Sequence, residues 1–140
     1  MNDAGTEPLA DFFWLPLRSG WRWSLAVCAA VSALAHLPVI PEHLREAPYM
    51  GEEFIVLAVG CLLIGAGALI CDSAALYLLA VVACGLAITG YVATRVVAFP
   101  SLDDDVGNWF EPLGVVSIAA ETGVVVTALC ALASRRRRAG

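Results

Sequence analysis

The chain has 140 residues, of which 60% are apolar and only 15% are charged, against about 25% charged residues in an ordinary soluble domain. Its mean hydropathy is +0.80 and its formal net charge at pH 7 is −5. These values exclude a disordered chain, a nucleic-acid binder with a basic surface and almost every soluble globular fold. They predict a protein whose first partner is a lipid bilayer and which has no nucleic-acid partner.

Four stretches are apolar over the roughly 20 residues that a membrane span requires. They lie at 23–40, 54–70, 73–99 and 112–134. Lipid offers the backbone no hydrogen-bond partner, so each stretch is expected to be a helix. The short connections favour antiparallel neighbours. The predicted fold class is therefore all-α: a polytopic membrane protein built as an antiparallel four-helix transmembrane bundle.

The chain divides into three parts by composition. Residues 1–22 are expected to form a cytoplasmic or interfacial segment, in which the aromatic run at 12–15 suits the headgroup region. Residues 23–134 form the predicted transmembrane domain. Residues 135–140 form a basic cytoplasmic tail.

The arginines predict the orientation of the spans. Arg18, Arg22 and the run Arg135–Arg138 flank the spans on one side, whereas the opposite loops hold only Arg45. Because positive charge accumulates in cytoplasmic loops, both termini are expected in the cytoplasm. The protein is then expected to be a multi-pass membrane protein. Eight of the 13 acidic residues fall on the outer side: Glu42, Glu46, Glu52, Glu53, Asp103, Asp104, Asp105 and Glu111.

Each predicted helix also contributes one ionisable residue to the outer half of the bundle, and Glu53 does so at the start of the second helix. Such residues are costly in a membrane and are candidates for function. Glu121 follows Pro112 by nine residues, which places it about 13 Å below the outer end of its helix. The predicted intramembrane polar cluster consists of His36, Glu53, Arg95 and Glu121.

The polar cluster needs partners inside the membrane. Ser117 and Thr122 are expected to offer hydrogen bonds to Glu121. Arg95 is expected either to reach the outer headgroups or to pair with Glu53 or Glu121.

The two predicted outer loops are rich in metal-ligand types. Imidazole together with carboxylate suits zinc, copper(II), manganese or iron, and carboxylates alone suit calcium. A divalent metal ion is the cofactor we consider, although a plain solvated acidic loop also explains the aspartates. Haem is not expected, because the only two histidines come from one helix end and its loop. The candidate metal ligands are His36, Glu42, His43, Glu46, Asp103, Asp104 and Asp105.

Small residues and prolines predict the packing of the spans. Pro38 and Pro41 are expected to end or kink the first helix. The five cysteines show no C-x-x-C spacing, so helix packing is favoured over a soft-metal path. Five glycines in the second and third spans predict a close hairpin at the short turn 71–73: Gly60, Gly65, Gly67, Gly85 and Gly90.

Two segments carry a family resemblance. Residues 36–51, HLPVIPEHLREAPYMG, and residues 104–121, DDVGNWFEPLGVVSIAAE, together make up about a quarter of the chain. They resemble small, uncharacterised four-span membrane proteins of high-GC bacteria, mostly actinobacteria. The resemblance implies a bacterial membrane protein with four spans. It implies no activity, and no residue role follows from it.

These observations favour a binding or transport role over an enzyme. We expect a cation, either a divalent metal ion or a proton, to be bound or translocated on the extracytoplasmic side. The first alternative is a non-catalytic accessory subunit of a larger membrane complex, and homo-oligomers also remain open. The second is an integral membrane enzyme, although the chain has no lysine, no G-x-S-x-G and no H-E-x-x-H motif.

Overall fold

The computed structural model describes residues 13–139, with side chains described as far as Ser134. Within this range the chain forms five α-helices and one 3₁₀ turn at Asp103–Asp105. The all-helical fold class is confirmed. The helices are α1 (Trp21–His36), α2 (Ile40–Glu46), α3 (Pro48–Ile70), α4 (Ala74–Val96) and α5 (Pro112–Ala139).

Three helices in the described part of the chain are long and apolar enough to cross a membrane. They are α3, α4 and the stretch Pro112–Ser134 of α5. Helices α1 and α2 meet the same requirement only as a pair, bent by 48° at the break between them. The structure is thus compatible with a multi-pass membrane protein of three spans, or of four if the bent pair counts as one.

The region expected to be the first outer loop is largely helical. Helix α1 ends at His36, as the prolines after it predict, but a second helix starts at Ile40 with Pro41 in its first turn. Proline is tolerated there because backbone N–H groups in the first turn have no partner within the helix, so none is lost. Helix α3 then starts at Pro48 rather than at Phe54. The prediction of a loop between the first two spans is therefore wrong.

Helix α1 lies at the centre of the packing. It makes extensive contacts with α3 and α5, and α4 packs on α5. By contrast, α3 and α4 contact each other least among the packed helix pairs, although only a short turn joins them. The expected close hairpin between these two helices is wrong.

The glycines of α3 and α4 differ in what surrounds them. A Cβ at Gly65 would touch Ala26 and Ala29 of α1 at 3.5 Å, and one at Gly67 would meet the Leu76 side chain at 2.9 Å. These two glycines therefore permit close packing. A Cβ added at Gly60, Gly85 or Gly90 would meet no atom within 4 Å. The interpretation that these three glycines permit close helix packing is therefore wrong.

A hydrogen-bond network closes the end of the molecule opposite α2. Asp72 Oδ2 accepts from the Ser19 backbone N–H at 2.8 Å, and its Oδ1 accepts from the Tyr77 hydroxyl at 2.6 Å. The Leu17 N–H donates to the Asp72 carbonyl at 2.7 Å. Ser73 caps α4 by accepting a backbone N–H with its hydroxyl. The segment before α1 is thus tied to the turn between α3 and α4.

Parts of two predicted segments lie outside the described residues. These are the first twelve residues of the predicted N-terminal segment and the arginine side chains of the predicted basic tail. At the edge of the described chain, Trp14 and Leu15 are exposed, as a side chain in the headgroup region would be.

Candidate functional site

A cavity of about 960 Å³ lies between α3 and α4. Residues from all five helices line it, and α3 and α4 supply most of them. Val56, Leu57, Leu86 and Ala87 form its apolar wall. Val56 and Leu86 are also 72% and 67% exposed. The edge of the cavity therefore reaches the outside of the helix assembly, which is the face that lipid would cover.

Glu121 is the most deeply buried charged residue of the cavity lining, with an exposed fraction of 1%. Its Oε1 accepts a hydrogen bond from the Ser32 hydroxyl of α1 at 3.3 Å. The His36 Nε2 lies 3.8 Å from the same oxygen. The second carboxylate oxygen has no hydrogen-bond partner among the side chains described. One oxygen of Glu121 is thus held by α1, while the other remains available to a ligand.

The contacts of the His36 ring determine which of its two nitrogen atoms carries a hydrogen. Its Nδ1 lies 2.7 Å from the Ser32 carbonyl oxygen. A carbonyl oxygen can only accept, so Nδ1 carries a hydrogen. A neutral ring then has no hydrogen on Nε2, the atom that faces Glu121. Attraction between His36 and Glu121 consequently requires one additional proton, on the ring or on the carboxyl group.

Arg95 is also buried, at 7% exposure, but it is committed elsewhere. Its guanidinium forms an ion pair with the Asp105 carboxylate, and Nη1 donates to the Asp105 carbonyl at 3.0 Å. The group also lies 4.6 Å from the centre of the Tyr91 ring. The expected pairing of Arg95 with Glu53 or Glu121 is wrong, whereas its expected reach to the headgroups stays a prediction. Arg95 fixes the loop after α4 instead.

Carboxylates dominate the charged lining. Glu111 has a structural role, because its two oxygens accept the Leu113 and Gly114 backbone N–H groups at 3.3 and 2.7 Å and so cap α5. Asp105 is neutralised by Arg95, the one arginine that lines the cavity within the described residues. The cavity is strongly acidic, with six lining carboxylates: Glu42, Glu52, Glu53, Asp105, Glu111 and Glu121.

All four members of the predicted polar cluster line this one cavity. Only His36 and Glu121 approach each other closely. Glu53 lies at the exposed rim, and Arg95 is turned towards Asp105. The structure thus brings the cluster to a common space without joining it into one network.

The predicted metal ligands are dispersed. His36, Glu42, His43 and Asp105 line the cavity, whereas Glu46, Asp103 and Asp104 are exposed outside it. His43 turns its Nδ1 to the Val39 carbonyl oxygen, 2.9 Å away. Within residues 13–139, no group of three His, Cys, Asp or Glu side chains could hold a metal ion. A divalent-metal site stays a prediction.

Sequence reasoning missed Ser32, the residue that holds Glu121. A signal for it exists, because Ser32 precedes His36 by four residues and so shares its helix face. The expected partners Ser117 and Thr122 donate instead to carbonyl oxygens of their own helix, at 3.2 and 2.7 Å. Cys61 was also missed, and its thiol contacts the Ser32 hydroxyl at 3.7 Å.

Comparison with known proteins gives no relative for this chain: no family model, no curated protein and no solved structure matches it. The resemblance to four-span actinobacterial proteins therefore stays a prediction.

Proposed function

We propose that this chain is a four-span membrane protein that binds a cation in the cavity between α3 and α4. Glu121 is the deepest ligand of that cation. One observation carries the proposal: a carboxylate with 1% exposure lines an acidic cavity and has no arginine partner among the described residues. A charge in this position is expensive unless a positive charge or a proton joins it.

The proposed topology places the cavity on the extracytoplasmic side. Helix α1 has 16 residues, about 24 Å at 1.5 Å per residue, which is short for a hydrocarbon core about 30 Å thick. Taking α1 and α2 together as one bent span gives an antiparallel bundle of four spans. An even number of spans puts both termini on one side, and the arginines at both ends favour the cytoplasm. The acidic cavity then opens to the outside of a bacterial plasma membrane.

The charge balance of the cavity favours a cation over an anion. Six carboxylates face a single arginine, which Asp105 already neutralises. Walls of low dielectric constant concentrate the field of the remaining carboxylates. An anion entering the cavity would meet this field without a free cationic partner in the described lining.

The arrangement around Glu121 supports competition between a cation and a proton. The His36–Glu121 contact requires an additional proton, and a cation on the free oxygen of Glu121 would replace the need for it. A divalent metal ion is less well supported, because it takes several ligands at short range and the described side chains offer no group of three.

Calorimetry in lipid nanodiscs tests the proposal. The probes are Zn²⁺, tetramethylammonium and tetraphenylphosphonium, each corrected with empty nanodiscs. We expect at least one probe to bind the wild type and to bind Glu121→Gln at least tenfold more weakly, about 1.4 kcal/mol. The control is Glu46→Gln, which neutralises an exposed glutamate outside the cavity and should leave the affinity unchanged.

Glu121→Gln keeps the size of the side chain and an oxygen that can accept from Ser32. Circular dichroism and elution volume of the variant should therefore match the wild type. The absence of binding for all three probes, or equal affinity in the two proteins, contradicts the proposal.

A further inference from the structure

We propose that the bound species is an organic cation with an apolar body, held between α3 and α4 with its charge towards Glu121. The inference rests on the proposed function and specifies its ligand. Four features of the cavity carry it: volume, apolar wall, open glycine faces and contact with the lipid-facing surface.

The volume exceeds what a proton or a metal ion requires. About 960 Å³ lies at the upper end of the range of roughly 300–1,000 Å³ found for small-molecule sites. Such sites combine apolar walls with a few polar groups. Here Leu57 and Ala87 belong to the wall, while Glu121 supplies the charge at the inner end. A ligand that fits both regions is amphipathic and cationic.

Two glycines leave this space open. Gly60 of α3 and Gly90 of α4 both line the cavity, and a Cβ on either residue would meet no atom within 4 Å. Small residues in spans ordinarily let helices approach each other, but α3 and α4 have the smallest contact among the packed helix pairs. The glycines thus add width to the cavity.

The apolar wall continues onto the membrane-facing surface. Val56 and Leu86 line the cavity and are largely exposed, one on each side of the gap between α3 and α4. A ligand dissolved in the outer leaflet could reach Glu121 through this gap without leaving an apolar environment. Glu52 and Glu53 at the rim, which form no ion pair among the described side chains, would attract its charge.

Two ions of nearly the same size and opposite charge test the ligand class. Tetraphenylphosphonium and tetraphenylborate carry the same four rings, and tetramethylammonium carries a positive charge without an apolar body. Calorimetry in nanodiscs, corrected with empty nanodiscs, should show tetraphenylphosphonium binding at least tenfold more tightly than either of the others. Charge and apolar body are then both required.

A glycine pair tests the position. Gly60→Leu places a side chain in the cavity, whereas Gly85→Leu places the same side chain in open space away from it. Both changes are made in helix interiors, so their intrinsic effects on the helix match. We expect Gly60→Leu to weaken tetraphenylphosphonium binding at least tenfold and Gly85→Leu to leave it unchanged.

The outcomes separate this inference from the proposed function. Glu121-dependent binding of Zn²⁺ or tetramethylammonium, without binding of tetraphenylphosphonium, keeps the proposed function and overturns the organic ligand. Equal affinity for the phosphonium and the borate also overturns it, since the cavity would then be an unselective apolar groove. The organic ligand is also overturned if Gly60→Leu leaves tetraphenylphosphonium binding unchanged. It is overturned as well if native mass spectrometry shows a copurified lipid that tetraphenylphosphonium does not displace. If no cation binds, both proposals fail.

Discussion

The Ser32 hydroxyl holds the Glu121 carboxylate across the contact between α1 and α5. Ser32 is itself fully buried, and its carbonyl oxygen faces the His36 ring. The Ser32 hydroxyl, Glu121 Oε1 and His36 Nδ1 therefore each have their partner on the facing helix or one helical turn away. Breaking one contact leaves a buried group without a partner, which costs more than the contact itself contributes.

Replacing Ser32 with alanine should destabilise the protein. Ser32→Ala removes the one hydrogen bond to Glu121 seen in the described structure, and hydrogen bonds between membrane helices contribute about 1 kcal/mol. We expect thermal unfolding in detergent micelles at a temperature lower by a few degrees. Ser24→Ala, at an exposed position of the same helix, serves as the control and should unfold like the wild type. Equal melting of the two variants would contradict this role of Ser32.

At this scale the sequence could predict which residues are unusual but not what they contact. The cost of burying a charge in a membrane is enough to single out Glu121 and His36 from the amino-acid sequence. The partner of Arg95 could not be found in the same way, because Asp105 lies in a loop whose path hydropathy does not determine. Ser32 is an ordinary residue in a helix, and only its spacing from His36 connects it to the cluster.

At the scale of helices, hydropathy predicted three of the four expected spans, and it predicted their packing poorly. The stretch 112–134 coincides with the apolar part of α5, and the predicted third span contains α4. Lipid and protein interior are equally apolar, so an apolar span does not reveal which face points inward. The same limit applies to glycine, which opens a cavity at Gly60 and permits contact at Gly65.

The contact between α1 and α5 gives a prediction at this scale. A Cβ at Gly123 would lie 2.7 Å from the Cys28 sulfur, closer than side chains approach without a shift. The Cys28 side chain would have to shift, so Gly123→Ala should destabilise the protein by about 1 kcal/mol relative to Gly85→Ala. Removing the sulfur in the double variant Cys28→Ala/Gly123→Ala should restore much of the loss.

Gly85→Ala is the matched control, because it makes the same change in open space. The free energy of unfolding is measured in mixed micelles by titration with a denaturing detergent. It is compared among the wild type, Gly123→Ala, Gly85→Ala and the double variant. If Gly123→Ala and Gly85→Ala behave alike, or if the double variant is no more stable than Gly123→Ala, α1 and α5 do not meet at this point.

At the scale of the whole molecule, the distribution of charge across the membrane matters more than the net charge of −5. The proposed topology puts six arginines in the cytoplasm and eight carboxylates outside. Arg95 is buried against Asp105 and neutralises one of these eight carboxylates. The same distribution of charge then determines both the orientation of the protein in the membrane and the positive charge of its ligand.

Cys71 provides a direct test of the orientation. It lies exposed in the turn between α3 and α4, whereas Cys61 and Cys84 are buried. With cytoplasmic termini, this turn is also cytoplasmic. A membrane-impermeant maleimide should therefore label Cys71 in inside-out vesicles but not in right-side-out vesicles, as read by gel shift.

Two variants calibrate the labelling. Cys71→Ser should remove the signal from inside-out vesicles. Adding Asp104→Cys to that variant places a thiol at an exposed position of the opposite side, which should react in right-side-out vesicles. The reverse pattern of labelling would invert the topology and place the cavity in the cytoplasm.

The most direct test of the account is the cation affinity of Glu121→Gln, measured by calorimetry in nanodiscs against wild type and Glu46→Gln. We expect a cation bound by the wild type to lose at least tenfold in affinity when Glu121 is neutralised, while Glu46→Gln binds it unchanged. Equal binding by all three proteins would show that the buried carboxylate is not a ligand, and the absence of binding in the wild type would remove the site altogether.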